Sequence, residues 1–385
     1  MIVIEKIIRF AILILLLCNI PGFLLEYIGG SIGSITSYLT SILLIAYFIL
    51  TKSKSKPLFP FILFGISYFL ISAINYDVLD TDNYFIKEFF RFMLVVICGV
   101  EVLKKTSNEN LYFVILIGGL SVVLNGLVFP GIASGRFSGF YLNPNYAGSI
   151  CLIGFALSFS ITNIKWKYIG QLVFTFGGLL TLSRTFIIIW VIINIIAIYR
   201  NKKNFLAPVI GGLALILIFM FSSGIKFDKQ RFKALQNIFS NEKVNTQVIK
   251  HDTRDQTWAI YYDKIMDKPL IGNGYMSFQR RYSRYPGVHN SYLMVIGESG
   301  IIPFIIMFGI YSYLFVNSFR SFRKKPELLY ILVVISLSLM ASHGYFFIFF
   351  NVFLSMYIFI EIQKLKKEVK QNFIQSKVKK VEIHV

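Results

Sequence analysis

The sequence predicts an all-α polytopic membrane protein, with about twelve transmembrane helices and a large, partly helical extracytoplasmic loop between spans nine and ten. Three observations predict it. First, 56% of the 385 residues are hydrophobic and only 15% are charged, where soluble domains carry about 25% charged residues. Second, the apolar residues fall in long runs, and a run of about 18 or more with few charges reads as a membrane-spanning helix. Third, the short loops between the runs alternate in charge, as expected when Lys and Arg gather on the cytoplasmic side.

The runs place spans near 7–25, 32–50, 57–74, 86–103, 111–129, 146–162, 166–183, 185–199, 205–222, 291–316, 328–342 and 344–361. Lys6 and Arg9 precede the first run, no small-residue cleavage site follows it, and it therefore reads as an anchor helix. With the N-terminus inside, the inner loops carry Lys52, Lys54 and Lys56, then Lys104 and Lys105, then Lys165 and Lys167. Arg200, Lys202 and Lys203 follow, and then Arg320, Arg323, Lys324 and Lys325. The outer loop at 75–84 has the opposite signature, with Asp77, Asp80 and Asp82 and no base. An even number of spans keeps both termini cytoplasmic. The expected organisation is transmembrane helices over 1–222, an extracytoplasmic loop over 223–290, further spans over 291–361 and a basic cytoplasmic tail over 362–385.

The formal net charge of +20 does not point to nucleic acid, because most of it sits in short loops and the tail, where it orients helices. Cys18, Cys98 and Cys151 lie inside apolar runs at unrelated spacings and form neither a metal motif nor a disulfide framework. The loop at 223–290 holds twelve Lys and Arg against six Asp and Glu. It is rich in aromatics, among them Phe227, Trp258, Tyr261, Tyr262, Tyr275 and Phe278, and reads as a small folded cap. Within it, 252–268 predicts a helix: Asp252 or Thr253 caps it, Arg254, Trp258, Tyr261, Tyr262 and Ile265 recur at helical spacing, and Pro269 ends it.

Three outer-side features carry the candidate chemistry. One is Gly135–Phe140 with Asn143-Pro144-Asn145, in which Arg136 is flanked by glycines that let backbone approach a ligand. The second is Thr181-Leu182-Ser183-Arg184. Arg184 interrupts a nearly continuous apolar run from Val173 to Ile198, and a charge near hydrocarbon is expensive enough to mark a functional site; a hairpin tip that snorkels to the interface is the alternative. The third is the large loop. It contributes Arg254, with Trp258 one turn on as a surface for a guanidinium or a sugar, the cluster Arg280, Arg281 and Arg284, and His289-Asn290 before span ten. A solvated face equally explains the arginine cluster. An imidazole of ordinary pKa, about 6.5, accepts a proton at neutral pH, so His289 is the candidate base. Glu298, inside span ten, either orients the site or is a hydrogen-bonded structural carboxylate. The chain has no phosphate-binding loop, no Cys/His cluster and no Ser nucleophile elbow, so no cofactor and no metal are expected.

These stretches resemble the O-antigen ligase and Wzy-type O-antigen polymerase family of bacterial envelope polysaccharide enzymes. The resemblance is carried by RFSGFYLNPN (136–145), TLSR (181–184), RDQTW (254–258), PLIGNG (269–274), HNSYL (289–293) and ESG (298–300), in order, across roughly residues 110–320. It implies a metal-independent inverting glycosyltransferase of the bacterial inner membrane, using an undecaprenyl-diphosphate-linked glycan as donor and a second glycan as acceptor. It also implies that Arg184 and Arg254 bind the diphosphate and that His289 is catalytic, with a chain-length regulator or flippase as further partners. The compact loop favours polymerisation of lipid-linked repeat units of O-antigen or capsule over ligation to lipid A core or another surface acceptor. A flippase or secondary carrier is the rival class. Such carriers show paired halves and a midplane site, whereas here the halves look unalike and the candidate bases lie on one face.

Overall fold

The computed structural model describes residues 2–52, 55–76, 82–129, 135–221, 224–225, 227–229, 231–233, 254–279 and 286–382. Among them every regular element is helical. The helices are α1 (Ile2–Leu17), α2 (Ile20–Tyr27), α3 (Gly30–Leu50), α4 (Phe59–Ser72), α5 (Asp82–Lys104), α6 (Asn108–Leu127), α7 (Pro144–Ser158), α8 (Ile164–Leu180), α9 (Arg184–Arg200) and α10 (Leu206–Phe221). After the loop come α11 (Arg254–Asp267), α12 (Ser291–Ser299), α13 (Ile301–Arg320), α14 (Pro326–Leu339) and α15 (Phe350–Glu382). Short 3-10 turns lie at Gly139–Tyr141 and Lys202–Phe205.

Each of the twelve apolar runs contains a helix, but not always one straight helix. Among the described residues, four segments are long and apolar enough to cross a membrane: Gly30–Leu50, Asn108–Leu127, Lys202–Met220 and Ile301–Arg320. A fifth arises if Val3–Leu17 and Ile20–Tyr27, bent by 59°, count as one span. The first run is thus broken. Asn19 adopts a left-handed backbone (φ 52°), and Pro21 begins the next helix. The tenth run is broken at Gly300, also left-handed (φ 75°). The twelfth starts late, because residues 340–349 form an irregular link and α15 begins at Phe350.

Polar side chains start many of the helices. Ser107, Asn143, Asn163, Ser183 and Asn290 each accept a hydrogen bond from a backbone N–H of the first turn, which satisfies donors that the helix itself cannot pair. Pro144 and Pro326 occupy first helical positions, where a missing N–H costs nothing.

The helices turn large apolar side chains outward. Ile32, Ile35, Leu39 and Ile42 on α3, Ile188, Val191 and Ile195 on α9, and Ile302, Ile305, Phe308 and Phe315 on α13 are exposed. Continuous apolar surface on this scale belongs against lipid. Helix α7 lies at the centre, with every residue from Tyr146 to Ser158 buried. Glycines let its neighbours come close. A Cβ on Gly154 would stand 2.3 Å from the Phe174 ring of α8, and one on Gly119 of α6 would stand 2.8 Å from the same ring. Small residues at such contacts supply packing where lipid offers no hydrophobic drive between helices.

The predicted inner loops meet one another at one end of the bundle. Arg200 donates to the carbonyl of Arg323 at 2.8 Å, Lys105 pairs with Glu5, and Lys364 donates to the carbonyl of Lys104 at 3.1 Å. Lys364 and Lys325 both pair with Glu361. The motif-bearing segments gather elsewhere, as described below.

Replacing Gly154 by Val should overpack the α7–α8 contact, a change that typically costs about 1–3 kcal/mol. The midpoint of thermal unfolding in detergent should fall, and a Phe174→Leu second substitution should recover part of the loss. An unchanged midpoint in Gly154→Val would show that the Phe174 ring swings aside freely.

Candidate functional site

The first two motifs form one corner. The Arg136 side chain donates from Nε to the carbonyl of Thr181 at 3.2 Å, and the Phe137 N–H donates to the carbonyl of Leu180 at 3.3 Å. From the other side, Ser183 Oγ donates to Asn145 Oδ1 at 3.1 Å. The turn over 136–145 is itself pinned to α6: Asn125 Oδ1 accepts from the N–H groups of Ser138 and Gly139 at 3.1 and 3.2 Å. Gly139 (φ 53°) cannot be replaced simply, since a Cβ there would lie 2.4 Å from Ser121 Oγ. Arg184 is the first residue of α9 and is exposed, directly after its cap Ser183. A cation at a helix N-terminus is electrostatically unfavourable on its own. An anion placed there meets both the guanidinium and the positive end of the helix.

The third motif forms a second corner. Trp258 Nε1 donates to the carbonyl of Val288 at 3.1 Å, and Tyr261 OH donates to that of Pro286 at 2.7 Å. Helix α11 therefore grips the strip that carries His289. That residue is exposed and left-handed (φ 46°), just ahead of Asn290, whose Oδ1 caps α12 by accepting from Tyr292 N–H at 3.0 Å. Arg254 opens α11; its side chain lies outside the described residues, as do Arg280, Arg281 and Arg284.

Glu298 anchors this corner from below. It is fully buried and accepts from the Phe278 N–H at 3.0 Å, from Gln279 Nε2 at 3.3 Å and from the hydroxyl of Tyr68 on α4. No described base faces it, and its oxygens are committed to protein donors. The PLIGNG turn lies along the ESG stretch: Asn273 N–H donates to the carbonyl of Gly297 at 2.7 Å and Gly274 N–H to that of Glu298 at 3.0 Å. Both chains approach so closely that a Cβ on Gly272 would sit 2.4 Å from the Glu298 carbonyl carbon, and one on Gly300 2.1 Å from the Leu270 oxygen.

The link over 340–349 joins the two corners and is the part that sequence reasoning missed. Ser291 Oγ donates to the carbonyl of Ser342 at 2.8 Å. The rings of His289 and His343 lie 4.8 Å apart between centroids. On the other side, Tyr146 at the start of α7 packs so closely on Gly344 that a Cβ there would stand 2.3 Å from the Tyr146 hydroxyl. Ser149 and Ser338 hydrogen-bond at 2.9 Å one turn deeper. The path from Arg184 to His289 thus runs through Ser183, Asn145, Tyr146, Gly344 and His343. His343 Nδ1 is a buried atom with no hydrogen-bond partner among the described residues. Burial, and then the neighbouring His289, push its pKa down to about 4. The available signal was Ser342-His343-Gly344, a polar break between two apolar runs.

The arrangement has three helices, α7, α9 and α12, starting beside the motif residues, with arginines and imidazoles among them. Among the described residues, no three His, Cys, Asp or Glu side chains are placed to share a metal ion. The fold and the site together define a helical membrane protein with a polar corner, carrying Arg136, Arg184, His289 and His343, set on an apolar bundle. Residues 169–308 match the family model described as O-antigen ligase. The match takes in Arg184, Arg254, His289 and Glu298 and leaves Arg136 outside it. The match supports a glycosyltransferase-like enzyme of O-antigen ligase type. A search of curated proteins returned no match.

An imidazole held at about 4 in the folded state and near 6.5 when unfolded takes up a proton on unfolding between those values. The stability it supports is complete above about 6.5 and is lost as pH falls toward 4. Replacing His343 by Phe should therefore flatten the loss of thermal stability between pH 7 and pH 5. Equal losses in both proteins would rule out His343 as a source of acid sensitivity.

Proposed function

We propose that this protein polymerises undecaprenyl-diphosphate-linked oligosaccharide repeat units of O-antigen or capsular polysaccharide, on the outer face of the cytoplasmic membrane. The observation that carries the reading is the continuous run of contacts from Ser183 and Asn145 through Gly344 and His343 to His289. It sets an arginine-bearing helix start and an imidazole on neighbouring segments, as transfer from a lipid diphosphate requires.

The chemistry follows from the groups. The acceptor hydroxyl oxygen attacks the anomeric carbon of the donor sugar from the face opposite the diphosphate. The carbon–oxygen bond to the diphosphate breaks, its electron pair leaves with the diphosphate, and configuration inverts. Arg184 and Arg254 are assigned to that departing charge, because a planar guanidinium presents paired donors to phosphate oxygens. Stabilising charge that grows in the transition state is usually the largest single catalytic contribution. His289 takes the hydroxyl proton, a contribution of about 10²–10⁴-fold for a positioned base. Arg136 fixes the corner through Thr181. Trp258 supports the His289 strip, and Glu298 holds the floor beneath it.

A second reading is ligation of a finished glycan to lipid A core or another surface acceptor, favoured by the description of the matched family model as O-antigen ligase. The compact loop favours polymerisation. Glycan profiling after gene deletion separates them. Loss of long chains with single repeats still on the final acceptor supports the polymerase, and accumulation of lipid-linked polymer supports the ligase.

In proteoliposomes supplied with a lipid-linked repeat unit, His289→Ala should be folded and inserted but extend no chains; normal extension would remove it as the base. Arg184→Ala and Arg254→Ala should each weaken donor binding, with Lys restoring it only in part. Unchanged binding in both Ala variants would end the diphosphate assignment. Topology is testable separately: a fluorescent protein fused after Val385 should fluoresce and alkaline phosphatase there should be inactive, and the reverse would invert the assigned sides.

A further inference from the structure

A cavity with a polar side lies outside the matched segment, lined chiefly by helices before residue 169. It has a volume of about 210 Å³, enough for about seven waters at ~30 Å³ each. Its walls come from α1, α2, α3, α5 and the 347–349 link. Most of the wall is aliphatic or aromatic, including Leu16, Leu25, Leu44 and Phe347. Against this stand two polar features. Helix α3 offers Ser34, Ser37 and Ser41, at helical spacing on one face, with Thr40 beside them. Helix α5 offers Arg91, partly buried and set ten residues into an apolar helix.

Arg91 is costly where it stands. A guanidinium within an apolar span is normally paired or faces a functional cavity. Here it lines the cavity, and no hydrogen bond or ion pair of its side chain is found among the described residues. No described acid lines the cavity with it. The ligand that answers such a wall has a compact anion for Arg91, acceptor oxygens for the serines and an apolar chain for the remainder. The cavity also reaches the segments of the candidate site. Asn19 at its rim donates from Nδ2 to the carbonyl of Phe140 at 3.1 Å, and the 347–349 link continues directly from His343 and Gly344.

We infer that the Arg91 cavity binds the phosphate group of a phosphorylated lipid, with Arg91 and the α3 hydroxyls on the phosphate and the apolar walls on the first part of the chain. This goes beyond the transferase reading and does not depend on it. The phosphate has two sources, a polyprenyl carrier or a bilayer phospholipid. In the first case the cavity holds a polyprenyl carrier at a site separate from the one assigned to Arg184.

The test uses the full chain in phosphatidylcholine nanodiscs and titrates undecaprenyl phosphate, phosphatidylglycerol and inorganic phosphate, with bound lipid counted by native mass spectrometry. Arg91→Ala should raise the Kd for a lipid phosphate about tenfold or more, the size expected for losing a charge-assisted contact. Ser37→Leu, which keeps the charge and fills the cavity, should do the same. Both variants are compared at equal monodispersity and thermal midpoint, so that misfolding is not read as lost binding. A loss confined to undecaprenyl phosphate supports the inference with a polyprenyl occupant. A loss shared with phosphatidylglycerol supports it with a general phospholipid occupant. Unchanged affinity for both lipids in both variants overturns it, as does an equal loss for inorganic phosphate, which would make Arg91 a lipid-independent anion site. Arg184→Ala in parallel keeps the two assignments apart: lost binding in Arg91→Ala with none in Arg184→Ala places the lipid phosphate in the Arg91 cavity, and lost binding in Arg184→Ala with none in Arg91→Ala overturns the inference.

Discussion

The structure depends on one constraint: where the backbone leaves the helix inside an apolar protein, its polar groups must find partners in neighbouring segments. An unpaired buried amide or carbonyl costs on the order of a few kcal/mol, and lipid offers no water to relieve it. The motif-bearing stretches are where the backbone leaves the helix. Each is laced to another stretch distant in sequence: 136–139 to α6 and to 180–181, 272–274 to 297–298, and 286–288 to α11. The short polar side chains in these stretches serve first as partners. Asn125, Asn145, Asn273 and Ser291 each bond across to another segment. The charged and titratable groups then sit on a frame whose own hydrogen bonds are made.

This division explains the different fates of the candidate residues. Glu298 carries the same formal charge as a catalytic carboxylate, yet its oxygens face the Phe278 amide, Gln279 and Tyr68. Arg184 and His289, by contrast, are exposed beside helix starts. Charge identity in a sequence does not distinguish these roles; what surrounds the charge does. His343 makes the same point. Its position between two apolar runs is plain in the sequence, while its approach to His289 depends on how α12 and α14 pack, through contacts such as Ser291 to Ser342.

Much of the helix content was legible because hydrophobic runs and their caps are local signals. The helix expected at 252–268 is α11 with boundaries shifted by one or two residues. The breaks were less legible. Asn19 looks like an ordinary polar residue in an apolar run, yet its left-handed backbone divides α1 from α2. Gly300 looks like a tolerated helix glycine, yet the backbone of Leu270 leaves no room for a side chain there. Both breaks answer to a distant chain segment, and hydropathy along the sequence carries no trace of that neighbour. Arg91 went unremarked for a related reason: within a run it reads as one tolerated charge, and only the serine face of α3 opposite gives it a context.

The left-handed residues have a consequence for anyone wishing to move this chemistry. Leu142, Leu182, Met276 and His289 have φ of 60°, 47°, 66° and 46°, each at or within two residues of a motif. Such conformations cost of order 1 kcal/mol or more for a side chain other than glycine, and persist only where the surroundings over-determine them. The turns do not hold themselves; the packed helices hold them. The motifs are therefore not portable. Grafted onto another scaffold, the letters RFSGFYLNPN or TLSR would relax into ordinary turns, and the geometry would stay behind with the bundle that imposed it.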